Sequence, residues 1–153
     1  MPEPDDSPRP LPESFAAIVD DFLALSRPDR LQLLLEFSQG LPALPPRYAE
    51  HKDQMEAVTE CQSPVFVAVE VSKDPAQTVQ VFFDAPKEAP TTRGFAGILA
   101  EGLAGMDAQS VLAVPNDVPG RLGLTEAVSP LRLRGMAGML ARIKRQVAEE
   151  IAP

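Results

Sequence analysis

The chain of 153 residues has one cysteine, one histidine, one tyrosine and no tryptophan. A single cysteine forms no internal disulfide and has no resolving thiol, which leaves out a disulfide-stapled fold and dithiol redox chemistry. One cysteine with one histidine cannot furnish a thiolate-rich metal site. Cations are also scarce, with 14 Lys and Arg against 22 Asp and Glu, a formal net charge of −8. A phosphate backbone demands clustered cations, so nucleic acid is not an expected partner. The basic residues Arg132, Arg134, Arg142, Lys144 and Arg145 read instead as the solvated face of a helix that also carries Glu149 and Glu150. No apolar run reaches membrane-spanning length, and the first residues lack the basic and apolar segments of a secretory signal. Cytoplasm, with no membrane partner, is the expected location.

Aromatic residues are only 5% of the chain, so the core must be built from Leu, Val, Ile, Ala and Met. Residues 1–10 are acidic and proline-rich and offer nothing to bury, which predicts a disordered tail before a single domain over 11–153. From Ser14 the pattern turns helical: Phe15, Ile18, Val19 and Phe22 share a face, with Ser14 placed to cap the first turn. Ser26 and Pro28 open a second helix in which Leu31, Leu34, Leu35 and Ser38 form a stripe that stops at Gly40. The short connection between the two implies a helical hairpin. Prolines make Leu41–Tyr48 an extended, packed connector.

Strand signals follow. Val65, Val67, Val69 and Val71 alternate along one run, Thr78–Phe83 makes another, and Ser72–Gln77 between them has turn chemistry. A further short strand is possible near Ala57–Thr59. Pro90 then opens a helix bearing Phe95, Ile98, Leu99 and Leu103, Asp107 caps a short one, and Ser129-Pro130 starts the strongest periodic stretch, Met136 to Ile151. The element order predicts an α+β fold, with a small antiparallel sheet of about three strands packed against an N-terminal helical hairpin and C-terminal helices. Gly135 and Gly138 cost that last helix roughly 1 kcal/mol each relative to Ala, which predicts close packing of the helix on the sheet.

Cys61 is set in Val58-Thr-Glu-Cys-Gln-Ser-Pro-Val-Phe66, at the loop that enters the first strong strand. An isolated cysteine is equally well a small core hydrophobe, but its polar neighbours argue for a loop thiol. A cysteine hydrolase would need His51 as base, and nothing in its Pro- and charge-rich surroundings orients it. A persulfide carrier needs one thiol only, and the lack of a second prevents intramolecular loss of the sulfur. A thiol-based oxidant sensor is a further option that a neighbouring carboxylate, Glu60, disfavours.

The segment Glu60-Cys-Gln-Ser-Pro-Val-Phe66 resembles the Gly-Cys-Gln-Ser-x-Val-Trp signature of SufE proteins, with Glu for Gly, Phe for Trp and Pro after Ser. A helix ending in Leu-Pro-x-Leu-Pro precedes it, here Leu41 to Pro45. Glu88-Ala-Pro-Thr-Thr-Arg-Gly-Phe95 is similar to the family's Asp-containing helix start. Leu122-Gly-Leu124 and Ser129-Pro-Leu-Arg-Leu-Arg-Gly-Met136 are similar to its closing block. The resemblance runs in order from Phe15 to Val147. It implies a SufE/IscU-like fold and a sulfur-transfer partner rather than a stand-alone enzyme, one that stimulates a SufS-type cysteine desulfurase and delivers sulfur to an Fe–S scaffold. By the same resemblance Cys61 is the persulfide acceptor and Arg132 and Glu88 support it. The chain itself would carry no cofactor, pyridoxal phosphate belonging to the desulfurase. A non-transferring regulatory module for a desulfurase is the alternative. Glu60 should raise the pKa of Cys61, so activation falls to Arg132 or to the partner.

Overall fold

A computed structural model describes residues 11–153, and the tail expected over 1–10 lies outside the described residues. The elements in chain order are α1 (Glu13–Leu23), α2 (Arg27–Gln39), α3 (Pro46–Ala49), β1 (Glu56–Ala57), β2 (Phe66–Val71), β3 (Val79–Asp84), α4 (Pro90–Leu103), α5 (Ala108–Leu112), α6 (Val118–Arg121) and α7 (Pro130–Ile151). The strands form one antiparallel sheet in the order β1-β2-β3, with Val67 opposite Phe83 and Val71 opposite Val79. The α+β expectation and its three antiparallel strands therefore hold.

Both faces of the sheet are covered, which explains why β2 is apolar at nearly every position. Val67, Val69, Val79 and Phe83 join the main core with Phe15, Phe22, Phe95, Leu99, Met139 and Ile143. On the other face Ala68 packs with Tyr48 and Met55 in a second, smaller cluster that Phe66 and Phe82 border. The proline-rich connector supplies Tyr48. Arg47 beside it grips Glu70 through Nε and Nη2, both at 2.9 Å, and lies 5.1 Å from the centre of the Phe82 ring. A bidentate pair that also stacks on an aromatic ring fixes the connector's direction as well as its position.

Helix α4 is the central strut, packed against α1, α2, α7 and β3. It crosses α2 so closely that a Cβ at Gly94 would come within 2.5 Å of the Leu34 carbonyl oxygen, and one at Gly97 would run into the carbonyl of Phe37. Arg93 donates to the Ser38 carbonyl at 2.9 Å and to the Ala85 carbonyl, tying the segment before α4 to the end of α2. Asp107 caps α5 as expected and Ser129, where the last helix is expected to start, caps α7, each accepting from a backbone N–H at 3.3 Å.

Local details depart from the sequence expectations. Ser14 lies inside α1, where it donates to the Gly102 carbonyl at 2.6 Å instead of capping. Ser26 stands at the cap position of α2 but donates to Asp29 Oδ2 at 3.1 Å. Leu31 is exposed, because the buried stripe of α2 runs through Leu34 and Ser38 toward α4. The connector is extended only to Pro45, and Pro46 then starts the single turn α3, its ring already set to a helical φ. Among the described residues no helix is long and apolar enough to cross a membrane.

Candidate functional site

The loop over residues 58–65 links β1 to β2. Its base is closed by buried Val58 and Val65, with the N–H of Val58 donating to the Val65 carbonyl at 2.9 Å. The N–H of Cys61 donates to the Val58 carbonyl at 3.1 Å, so the cysteine sits on a tight turn. Glu60 and Gln62 on either side are exposed, while Cys61 is half-buried with its side chain turned toward α7. The core and loop readings of Cys61 are thus both partly right: a loop residue tucks its sulfur against the core.

Helix α7 makes room for that sulfur by having no side chain at two places. A Cβ at Gly135 would stand 2.9 Å from Cys61 Sγ, and one at Gly138 would run into the Glu60 carboxylate. The glycines expected to allow close packing on the sheet instead admit the cysteine loop. Two turns of α7 thus form one contact strip, since positions 135, 138 and 142 share a face of the helix.

Arg142 completes the strip. Its Nη1 forms an ion pair with Glu60, its Nη2 donates to Thr59 Oγ1 at 3.1 Å, and its Nε lies 3.2 Å from Glu56 Oε2 without hydrogen-bond geometry. Glu56 is also bound by Arg145 and by Gln146 Nε2 at 2.9 Å. Gln146 in turn accepts from the Val69 N–H at 3.0 Å. The hydrogen bond from Arg142 holds the Glu60 carboxyl below its usual range in spite of partial desolvation.

The Cys61 thiol shifts the opposite way. Burial, with the Glu60 charge adding to it and Arg142 opposing, pushes it up to about 11. The expectation that Glu60 would raise this pKa holds, but desolvation is the larger cause. The cation that pairs with Glu60 is Arg142 and not Arg132.

Beside Cys61 opens a cavity of about 230 Å³ lined by Glu60–Ser63, by residues 88–92 at the start of α4, and by Leu131, Arg132 and Gly135 of α7. All three residues singled out from the sequence, Cys61, Glu88 and Arg132, therefore border one space. Arg132 is exposed, with Nη1 at 3.5 Å from Thr91 Oγ1 across the cavity. The first turns of α4 and α7 both border it, and helix N-termini carry partial positive charge. Arg132 and the two helix N-termini there face the carboxylates of Glu60 and Glu88 around the same space. Among the described residues no group of three or more His, Cys, Asp and Glu side chains could hold a metal ion.

Residues 16–147 match the SufE family, the Fe-S metabolism associated domain. The chain belongs to the SufE family. An uncharacterised SufE-like protein of Mycobacterium tuberculosis is 54% identical over 143 residues, covering 94% of this chain and 97% of its own length. SufE-like protein 1, chloroplastic/mitochondrial, of Arabidopsis thaliana is 25% identical over 137 residues, covering 89% of this chain and 35% of that protein. The solution structure of a hypothetical protein from Thermus thermophilus superposes with a TM-score of 0.77 at 38% identity, over 92% of this chain and 98% of that one. SufE membership ties the chain to Fe–S metabolism.

The residue beside the Cys61 loop that sequence reasoning missed in this SufE protein is Arg142. Two signals were available: Glu60 called for a nearby cation, and Gly138 stands one turn before Arg142 on the same helix face. Read apart, one looked like packing and the other like a solvated charge.

Proposed function

We propose that this SufE protein accepts sulfur from a SufS-type cysteine desulfurase on Cys61, stimulates that enzyme, and passes the sulfur to an Fe–S scaffold. The observation that carries the reading is the placement of the chain's one thiol at the edge of a small cavity bordered by Arg132, Glu88 and two helix N-terminal turns. In the transfer, the thiolate of Cys61 attacks the outer sulfur of the desulfurase's cysteine persulfide. A bond forms between Cys61 Sγ and that sulfur, the partner's own S–S bond breaks, and its cysteine leaves as a thiolate that takes up the proton released from Cys61. No net oxidation or reduction occurs. Arg132 stabilises the anionic terminal sulfur once it is on Cys61, and Glu88 holds the opposite rim. Pyridoxal phosphate and the carbon–sulfur cleavage belong to the desulfurase, and the exchange takes place in the cytoplasm.

The test is intact-mass measurement after incubation with a cysteine desulfurase and free cysteine. The expected result is a gain of one sulfur atom on the native chain and none on Cys61→Ser. Absence of sulfur from the native chain, with the desulfurase still stimulated by Cys61→Ser, would establish the non-transferring regulatory module instead.

A further inference from the structure

The contacts behind the Cys61 loop form a closed circuit. Arg142 reaches from α7, the C-terminal helix, to three residues of the β1–loop segment: Glu56, Thr59 and Glu60. Thr59 Oγ1 also donates to Glu60 Oε1 at 2.9 Å, so the hydroxyl and the guanidinium hold the same carboxylate. The Arg142 side chain is only 18% exposed, although Glu60 retains 37%. An ion pair of this kind, charge-assisted and half removed from water, is stronger and less easily screened than one on the open surface. It also depends on Gly138, since any side chain there would occupy the place of the Glu60 carboxylate. The clasp joins residues 82 positions apart and holds the residue immediately before the cysteine.

We propose that Arg142 is a positioning residue, and that its clasp on Glu60 and Thr59 latches the Cys61 loop against α7, withholding the thiol in the free protein. Opening the latch lets the loop leave the Gly135–Gly138 strip and brings Sγ into solvent, where a partner's persulfide can meet it. The latch and the local charge make opposite demands at one position. Arg142 lowers the pKa of Cys61 by its charge, so removing it should slow the thiol if charge were all that mattered. Removing it should speed the thiol if its main effect is to hold the loop shut.

The purpose of the latch rests on Cys61 being the sulfur acceptor, but its test needs no desulfurase. The rate of Cys61 alkylation by iodoacetamide is followed by intact mass at pH 8 in the full chain, with far-UV circular dichroism to verify folding. Arg142→Gln is expected to react faster by about tenfold, the order expected for loss of a charge-assisted hydrogen bond. Glu60→Gln is also expected to be faster, and the double variant no faster than the faster single one. Thr59→Val keeps both charges and their ion pair but removes the hydroxyl that Arg142 and Glu60 both bind, so it should react about threefold faster, less than when the ion pair itself is lost. A slower or unchanged rate in a folded Arg142→Gln overturns the latch. Should that variant not fold, an unchanged rate in Thr59→Val does so. Failure of the latch shows in these rates, whereas failure of the acceptor reading shows as missing sulfur in the mass experiment with the rates unaffected.

Discussion

Gly135 presents bare backbone to the sulfur of Cys61, with space for a methyl group lacking by a fraction of an ångström: a Cβ would sit 2.9 Å from Sγ. Gly135→Ala replaces a poor helix former with the best one, a local gain of about 1 kcal/mol. It must also displace Sγ, which can move because it ends a short side chain on a loop. The expected outcome is a Tm within a few degrees of the native value and alkylation of Cys61 several-fold faster. Unaltered alkylation would mean that the sulfur rearranges without leaving its shelter.

Burial keeps Cys61 protonated, with a pKa of about 11. At pH 8.5 its thiolate population should lie about a hundredfold below that of an ordinary cysteine. Iodoacetamide rates measured from pH 7 to 11 should therefore still be rising at the top of the range, without the plateau that an exposed thiol reaches at about pH 10. Glu60→Gln should move the curve to lower pH. A native profile with its midpoint near 8.5 would show that the loop spends most of its time open.

Much of the fold was legible because its core elements are periodic. The stripe from Met136 to Val147 and the alternation from Val65 to Val71 predict α7 and β2 from spacing alone, and both are buried as expected. Errors fell where side-chain choices are settled by tertiary contact. Ser14 had two carbonyl or amide targets within reach, and α4 supplied the better one through Gly102. The short helices α3 and α6 are single turns of four residues, too brief for periodicity to register. Within the site, Cys61, Glu88 and Arg132 were legible through ordered motif blocks. The Glu60–Arg142 pair joins residues 82 positions apart, and no local pattern connects them.

Arg30 ties the helical hairpin to the segment between α6 and α7. Its Nε donates to the Phe22 carbonyl at 2.8 Å at the end of α1, and its Nη1 donates to the Gly123 carbonyl at 2.9 Å. It thereby adds a second donor to the Phe22 carbonyl, which also accepts from the Leu25 N–H, and binds the Gly123 carbonyl between α6 and α7. Arg30→Ala should cost about 1–3 kcal/mol, the range for hydrogen bonds to a charged group. That corresponds to roughly 3–10 °C in Tm for a domain of this size, measurable by calorimetry. Cys61 alkylation should be unaffected, since Arg30 touches neither the loop nor the cavity wall.

Gly97 faces backbone, and that decides the sign of its replacement. A Cβ there would collide with the Phe37 carbonyl and also approach its Cβ at 3.3 Å, so α2 and α4 must separate for an alanine to fit. Overpacking at a helix crossing costs about 1–3 kcal/mol, more than the roughly 1 kcal/mol that alanine returns as a helix former. Gly97→Ala should thus lower the urea midpoint while Gly135→Ala, the same chemical change against a movable sulfur, leaves it nearly unchanged. Equal effects at the two positions would refute the distinction between a rigid and a yielding neighbour.

Glu56, Glu60 and Glu70 all have carboxyls held below their usual range: Glu60 and Glu70 chiefly by hydrogen bonds from Arg142 and Arg47, Glu56 by Arg145 and Gln146 against a sizeable desolvation cost. A carboxyl whose folded pKa is depressed favours the folded state while it is ionised. That contribution is complete above the ordinary carboxylate pKa and disappears as pH falls through the folded value. Acidification has a second effect of opposite sign, because neutralising part of the formal net charge of −8 relieves self-repulsion. The two are separated by comparing variants. Glu70→Gln removes the group that Arg47 and Tyr48 both bind, so its loss of stability relative to the native chain should be greatest at pH 7 and shrink toward pH 3. Urea unfolding across that range gives the measurement, repeated in high salt, where the difference at pH 7 should narrow because the pair is partly exposed. A difference that stays constant with pH would mean that Glu70 acts through packing and not through its charge.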